Sequence, residues 1–77
     1  MIGTEHDALS LIVRWFRERG FGIQFSADED EHGNSFYWAD LTRLPSERVI
    51  APMYGRGERE LTAAESAKGR FDAEQLR

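Results

Sequence analysis

The chain has 77 residues, enough for one small domain over residues 1–77, and a chain of that length buries only about 60–65% of the surface its unfolded form exposes. It contains no cysteine, which excludes disulfides as reinforcement and leaves helix packing or self-association to support a thin core. Ten basic against 14 acidic residues give a net charge of -4, which argues against a protein that grips nucleic acid by its phosphates.

The first predicted element is a helix. Thr4 followed by Asp7 fits a reciprocal cap. Leu9, Ile12, Val13 and Phe16 then recur at helical spacing, widened by Ala8, Leu11 and Trp15. Ser10, Arg14, Arg17 and Glu18 form the opposite face. Gly20 ends the helix in the left-handed conformation, and Phe21 folds back onto it.

The period then changes. Phe21, Ile23 and Phe25 alternate with Gly22, Gln24 and Ser26, the pattern of a half-buried strand. The acidic stretch ADEDEHGN connects it to a second, aromatic strand, SFYWADL. TRLPSE forms the next turn, with Pro45 early in it. RVIAPMY is a third strand, in which Pro52 marks an edge or the end of ladder pairing. Short connections make the three strands an antiparallel meander.

The last element is a helix with two candidate starts. TAAE, Thr62 to Glu65, is a second capping-box match and would make Thr62 the cap; the competing start lies nearer Arg59, soon after Gly57. Gly69 costs about 1 kcal/mol relative to Ala inside a helix, so fraying or bending is expected after it. Phe71 and Leu76 supply apolar contacts beyond. The order α-β-β-β-α predicts an α+β fold, a three-stranded antiparallel sheet with two helices packed on one face. Ala63 and Ala67, one turn apart, let the second helix approach closely.

This order, with Gly55, Gly57, Ala63 and Ala67 at the last strand-to-helix junction, resembles the double-stranded-RNA-binding domain. In that family a loop with two glycines leads to a cap and then to lysines that hold phosphates, with the alanines packed beneath. Here the cap falls on Arg59, and Glu60, Leu61 and Ala64 stand at the lysine positions, so the topology matches and the binding chemistry does not. Glu58, Glu60 and Glu65 place protein carboxylates where a phosphate would sit. An RNA-binding reading would have to use Arg56, Arg59 and Lys68, which supply few released counterions. Residues 47 to 70 also resemble the antitoxins of Hic-type toxin–antitoxin pairs, with Gly and then Ala at the same junction. The Hic-type toxin shares the α-β-β-β-α order and has one catalytic His. His32 in EHGNSF is the central candidate, but the toxin's Gly-Ser-His order is not reproduced, so no catalytic residue is assigned.

Other constellations are weak. Asp28, Asp30 and Gly33 sit at positions one, three and six of a calcium loop, but His32 falls at the fifth and Ala39 at the twelfth, where a bidentate Glu is needed. The stretch is expected to be an exposed acidic hairpin loop. His6 reads as a solvated first-turn residue. No metal, cofactor or small-molecule substrate is expected.

The aromatic strand is more informative. If Asp40 faces water, so do Phe36 and Trp38, while Tyr37, Ala39 and Leu41 face the helices. On the third strand Val49, Ala51 and Met53 would point inward and Arg48, Ile50 and Tyr54 outward. Phe36, Trp38, Ile50 and Tyr54 would then share a face that no helix covers, and such patches mark interfaces. The expected function is a non-catalytic protein-interaction or regulatory module, self-associating as a homodimer through this face or an edge strand. The longest apolar run, Phe36 to Ala39, is too short to span a bilayer. MIGTEHD lacks the basic start and apolar stretch of a secretory signal, so a cytoplasmic location is expected. Nine of the ten basic residues are Arg, a hint of a GC-rich, bacterial genome.

Overall fold

The computed structural model describes residues 4–75. Its elements run α1 (Thr4–Arg17), β1 (Phe21–Glu29), β2 (Ser35–Arg43), β3 (Arg48–Gly57) and α2 (Glu60–Gln75). The strands form one antiparallel sheet in the order β1-β2-β3. Both helices pack on one face, sharing a core of Phe16, Ala39, Leu41, Tyr54, Ala63, Ala67 and Phe71. The α+β fold is the one that the change of period predicts. The Thr4 side chain, the expected first cap, and Leu76 lie outside the described residues and side chains.

α1 ends as its sequence dictates. Gly20 adopts φ 88°, and its N–H and that of Arg19 turn back onto the carbonyls of Arg17 and Phe16, each at 3.0 Å. Phe21 then enters an aromatic cluster in which Trp15, Phe16 and Phe21 each meet Phe71 edge-on, at centroid distances of 5.3–5.5 Å. Such pairs add to the area they bury. Leu11, expected on the apolar stripe, is 63% exposed, because the stripe that reaches the core is the narrower one through Ile12, Trp15 and Phe16.

β1 continues through Ala27, Asp28 and Glu29, beyond the alternating stretch, and pairs with β2 without interruption from Phe21↔Arg43 to Glu29↔Ser35. A tight turn makes this possible. The Asp30 carboxylate accepts the backbone N–H groups of His32 (2.8 Å) and Asn34 (2.9 Å), and Gly33 takes φ 80°. An Asp that binds the backbone just ahead of it mimics a backbone turn.

β3 breaks the alternation, which corrects the sequence-based facing. Leu41 pairs with Ala51 and Ala39 with Gly55, so Pro52, Met53 and Tyr54 together oppose Asp40 alone. Ile50 is a second extra residue, between the partners of Leu41 and Thr42. Bulges of this kind re-aim side chains. Tyr54 turns into the core, Met53 is 61% exposed and Val49 43% exposed. Met53 takes φ 54°, and its N–H donates to Asp40 Oδ1 at 2.8 Å, which satisfies the donor that the bulge removes from the ladder.

α2 begins at Glu60, which decides between the two candidate starts. The Arg59 carbonyl accepts the first helical bond from Ala63 N (3.0 Å). The Thr62 hydroxyl accepts the Arg59 N–H at 3.0 Å. Thr62 is therefore not the cap; it is the third helical residue, and its hydroxyl reaches back to the cap residue in the manner of a capping box. The helix continues through Gly69, where no fray or break occurs.

Gly55 and Gly57 lie in β3, not in a loop, and they let α2 lie against the strand. A methyl group on Gly55 would meet Ala63 O, and would fall 2.6 Å from Ala67 N and 2.9 Å from its Cβ. One on Gly57 would collide with Thr62 Oγ1 and Ala63 N. Gly55→Ala is therefore expected to lower stability by about 1–3 kcal/mol, the usual range for overpacking. Gly69 has open space around it, so Gly69→Ala is expected to raise stability by about 0.5–1 kcal/mol. Thermal or urea denaturation of the two variants checks both signs.

Candidate interaction face of the sheet

Side chains of β2 divide between the two faces as expected: Tyr37, Ala39 and Leu41 pack towards the helices, and Phe36, Trp38 and Asp40 lie on the other side. Neither described helix covers that second face. Phe36 and Trp38 meet there edge-on, at a centroid distance of 5.2 Å. Arg56, the cross-strand partner of Trp38, lays its guanidinium 3.8 Å from the Phe36 ring centre and 5.4 Å from that of Trp38. Cation–π contacts of this geometry are worth about 0.5–1 kcal/mol at exposed sites.

Asp28 completes the group from β1. Trp38 Nε1 donates to its Oδ2 at 3.1 Å. The Glu29 backbone N–H, then the Trp38 indole N–H and the Arg56 charge, hold the Asp28 carboxyl below its ordinary range. Asp30 is likewise lowered, chiefly by the Asn34 backbone N–H. Both groups stabilise the fold as anions, a contribution fully present above the ordinary carboxylate range and lost as the pH falls below it, through the lowered folded-state values.

The four residues expected to share this face do not all meet. Phe36 is on it but only 8% exposed, shielded by Arg56. Trp38 is half-buried and Ile50, at a bulge, is 43% exposed. Tyr54 is not part of the face, because the bulge at Pro52–Tyr54 delivers it to the core. Its hydroxyl donates to Glu74 Oε1 on α2, and the Arg70 guanidinium lies 4.4 Å from its ring centre. Val49 and Met53 take its place among the exposed apolar side chains. Only Pro52 hinted at the irregularity that brings them out, since proline cannot donate to a ladder.

The residues of the RNA-binding reading are spread over both sides of the molecule. Arg56 stacks on Phe36 on the helix-free face. Lys68, on α2, pairs with Asp72 at 3.3 Å and lies 4.5 Å from the Trp15 ring centre. Arg59 sits at the start of α2. His32, the candidate of the toxin comparison, is exposed beside Glu31 in the β1–β2 turn, 3.6 Å from its carboxylate. Asp30 is committed to backbone donors, and among the described residues no group of three or more His, Cys, Asp or Glu is placed to hold a metal ion. No described helix is long and apolar enough to cross a membrane.

Comparison with protein families, with characterised proteins and with solved structures finds no match to this chain.

Burial and the Glu74 hydrogen bond push the Tyr54 phenol up to about 12 from an ordinary 10.0. A raised folded-state pKa stabilises the protein fully below the unfolded value and loses that contribution as pH rises through the folded one. Stability is expected to fall as pH rises from 10.0 to about 12, and the Tyr54→Phe variant should lack that component. Urea denaturation of both proteins across this range, with tyrosinate absorbance followed in parallel, makes the check.

Proposed function

We propose that this chain is a protein-association module that acts by binding rather than catalysis, and that it pairs with a second copy of itself through the helix-free face of its sheet. One observation carries the reading. Of the four large apolar residues most exposed among the described ones, three belong to β3, Val49, Ile50 and Met53. Val49 stands opposite Thr42 and the Met53 N–H bonds Asp40, two residues along β2 from Trp38, on a sheet whose described helices both lie on the other side. A small protein gains most from burying such a surface when its own core is thin. β3 itself makes a poor edge for strand addition, because its bulges and Pro52 interrupt a regular ladder. That favours contact through side chains on the face over extension of the sheet at β3.

The order of elements is also compatible with a double-stranded-RNA-binding topology and with a Hic-type component. Neither has a specific observation in its favour, since Arg56 and Lys68 lie apart and His32, with Glu31 as its carboxylate neighbour, sits exposed in the β1–β2 turn.

Sedimentation velocity over a range of concentrations tests the reading. A monomer–dimer equilibrium is expected for the unaltered protein, and Ile50→Asp or Trp38→Ala should shift it to monomer with unchanged helix content. A protein that stays monomeric throughout would refute self-association. Loss of the fold in both variants would instead make these side chains part of the core.

A further inference from the structure

The two edges of the sheet are built differently. β3 is interrupted by two bulges and by Pro52, whereas β1 pairs along 9 residues without a bulge or a proline. Native sheets guard their edges with such interruptions, and β1 has none. The hydrogen bonds at its two ends show which of its backbone groups point away from β2. Leu44 N donates to Gly20 O at 3.1 Å, and Asp30 N donates to Asn34 O at 3.0 Å. Both bonds join residues directly opposite in the register that runs through β1 and β2. Bonded pairs alternate along an antiparallel ladder. Gly22, Gln24 and Ser26 therefore bond β2, while Phe21, Ile23, Phe25 and Ala27 direct their N–H and C=O groups outward. Among the described residues, no backbone hydrogen bond outside the ladder reaches those four.

Their side chains lie on the helix-covered side, where Phe21, Ile23 and Phe25 pack against the core. α1 packs on β1 and α2, while α2 packs on β3 and β2. Trp15 faces α2, with its ring centre 5.4 Å from that of Phe71 and 4.5 Å from Lys68 Nζ. Residues two apart on a helix point about 160° apart, so Val13 lies on the flank away from α2, on the side of the β1 edge. Leu9 and Arg17, one turn to either side, share that flank. Leu9 and Val13 are half-buried but outside the shared core, and with His6 and Arg17 they line a shallow groove along α1. A strand laid on the β1 edge would place alternate side chains beside Ile23 and Phe25 and under this apolar flank.

Geometry and charge select the occupant. A second copy pairing its own β1 here would bring its α1 over a strand only about 4.8 Å away, whereas packed helices need axes about 8–10 Å apart. A strand that carries no helix of its own avoids this collision. Arg17 stands at the Phe21 end of the edge, and Glu29 and Glu31 stand at the other, all three exposed. Antiparallel pairing is slightly the more stable, and in that direction the incoming chain starts beside the acids and ends beside the arginine. We propose that the β1 edge takes up an extended segment of a partner protein as a fourth, antiparallel strand. The segment begins with a basic residue, alternates polar and apolar residues, and ends with an acidic one. This surface is separate from the helix-free face, and the proposal does not depend on pairing there.

The peptide KTVTVTVE with blocked ends is the probe, and QTVTVTVQ is its uncharged control. Amide exchange and chemical shifts of the full chain are followed by NMR. In the free protein the amides of Gly22, Gln24 and Ser26 are expected to exchange slowly and those of Ile23, Phe25 and Ala27 quickly. KTVTVTVE should slow the latter three and shift their resonances saturably, and QTVTVTVQ should bind several-fold more weakly. Ala27→Pro keeps the ladder intact, because that N–H faces outward, and should lose the binding. Val13→Glu, on the helix flank and away from the ladder, should weaken it. Absence of saturable binding, shifts confined to Trp38 and β3, equal binding of the two peptides, or undiminished binding by both variants overturns the proposal. Slow exchange of Ile23, Phe25 and Ala27 without peptide that is lost on dilution also overturns it, since a second copy would then fill the edge.

Discussion

The position of α2 on β3 is the constraint from which the other features follow, and it depends on two missing side chains. With hydrogen alone at Gly55 and Gly57, the backbone of α2 comes into contact with the strand through Ala63 and Ala67, both fully buried. That close approach aims Phe71 into the cluster of Trp15, Phe16 and Phe21, which fastens α1 to the same layer. Lys68 and Arg19 close over the outer side of Trp15, at 4.5 and 3.8 Å from its ring centre. With both described helices on one face, the other face of the sheet is covered by neither of them. Glycines at a strand-to-helix junction can cradle a phosphate when they lie in a loop at the helix N-terminus. Here their chief physical role is contact between helix and strand.

The second determinant is the irregularity of β3. A regular third strand would have put Tyr54 on the open face beside Trp38 and buried Met53. The extra residues opposite Asp40 reverse this, and the Asp40 carboxylate holds the reversed form by taking the Met53 N–H. Tyr54 consequently reaches Glu74 and Arg70 on α2, adding polar ties to a contact otherwise made by alanines and glycines. The open face keeps a smaller aromatic group, in which Arg56 and Asp28 occupy the polar and π surfaces of Phe36 and Trp38. Its exposed apolar area shifts towards Val49, Ile50 and Met53 at the margin. The same bulges that bring these residues out also spoil β3 as an edge for strand addition, so the features that favour contact through the face disfavour growth of the sheet there.

Charge has a different part from packing in this molecule. The net charge of -4 is unevenly placed: the β1–β2 connection gathers acids at one end of the sheet, and Arg43 and Arg48 pair at the other. Such an arrangement adds little to the stability of a single chain, because exposed ion pairs contribute little.

The amino-acid sequence by itself determines the elements and their order. Helical spacing from Leu9 to Phe16, the stop at Gly20, the alternation after Phe21 and the alanines of α2 are local signals, each readable within a few residues of itself. The facing of β2 is legible for the same reason, since Tyr37, Ala39 and Leu41 alternate without interruption. What tertiary structure decided is the facing of β3 and the role of the two glycines. A bulge is a mismatch between two strands, so it exists only once Asp40 and Met53 are brought together from different strands, and nothing within RVIAPMY alone states which residue is extra. Gly55 and Gly57 likewise acquire their meaning from Ala63 and Ala67, whose backbone must already lie against them before the lack of a side chain matters. Local pattern ends where contact between elements begins, and the composition of the open face was settled on the far side of that boundary.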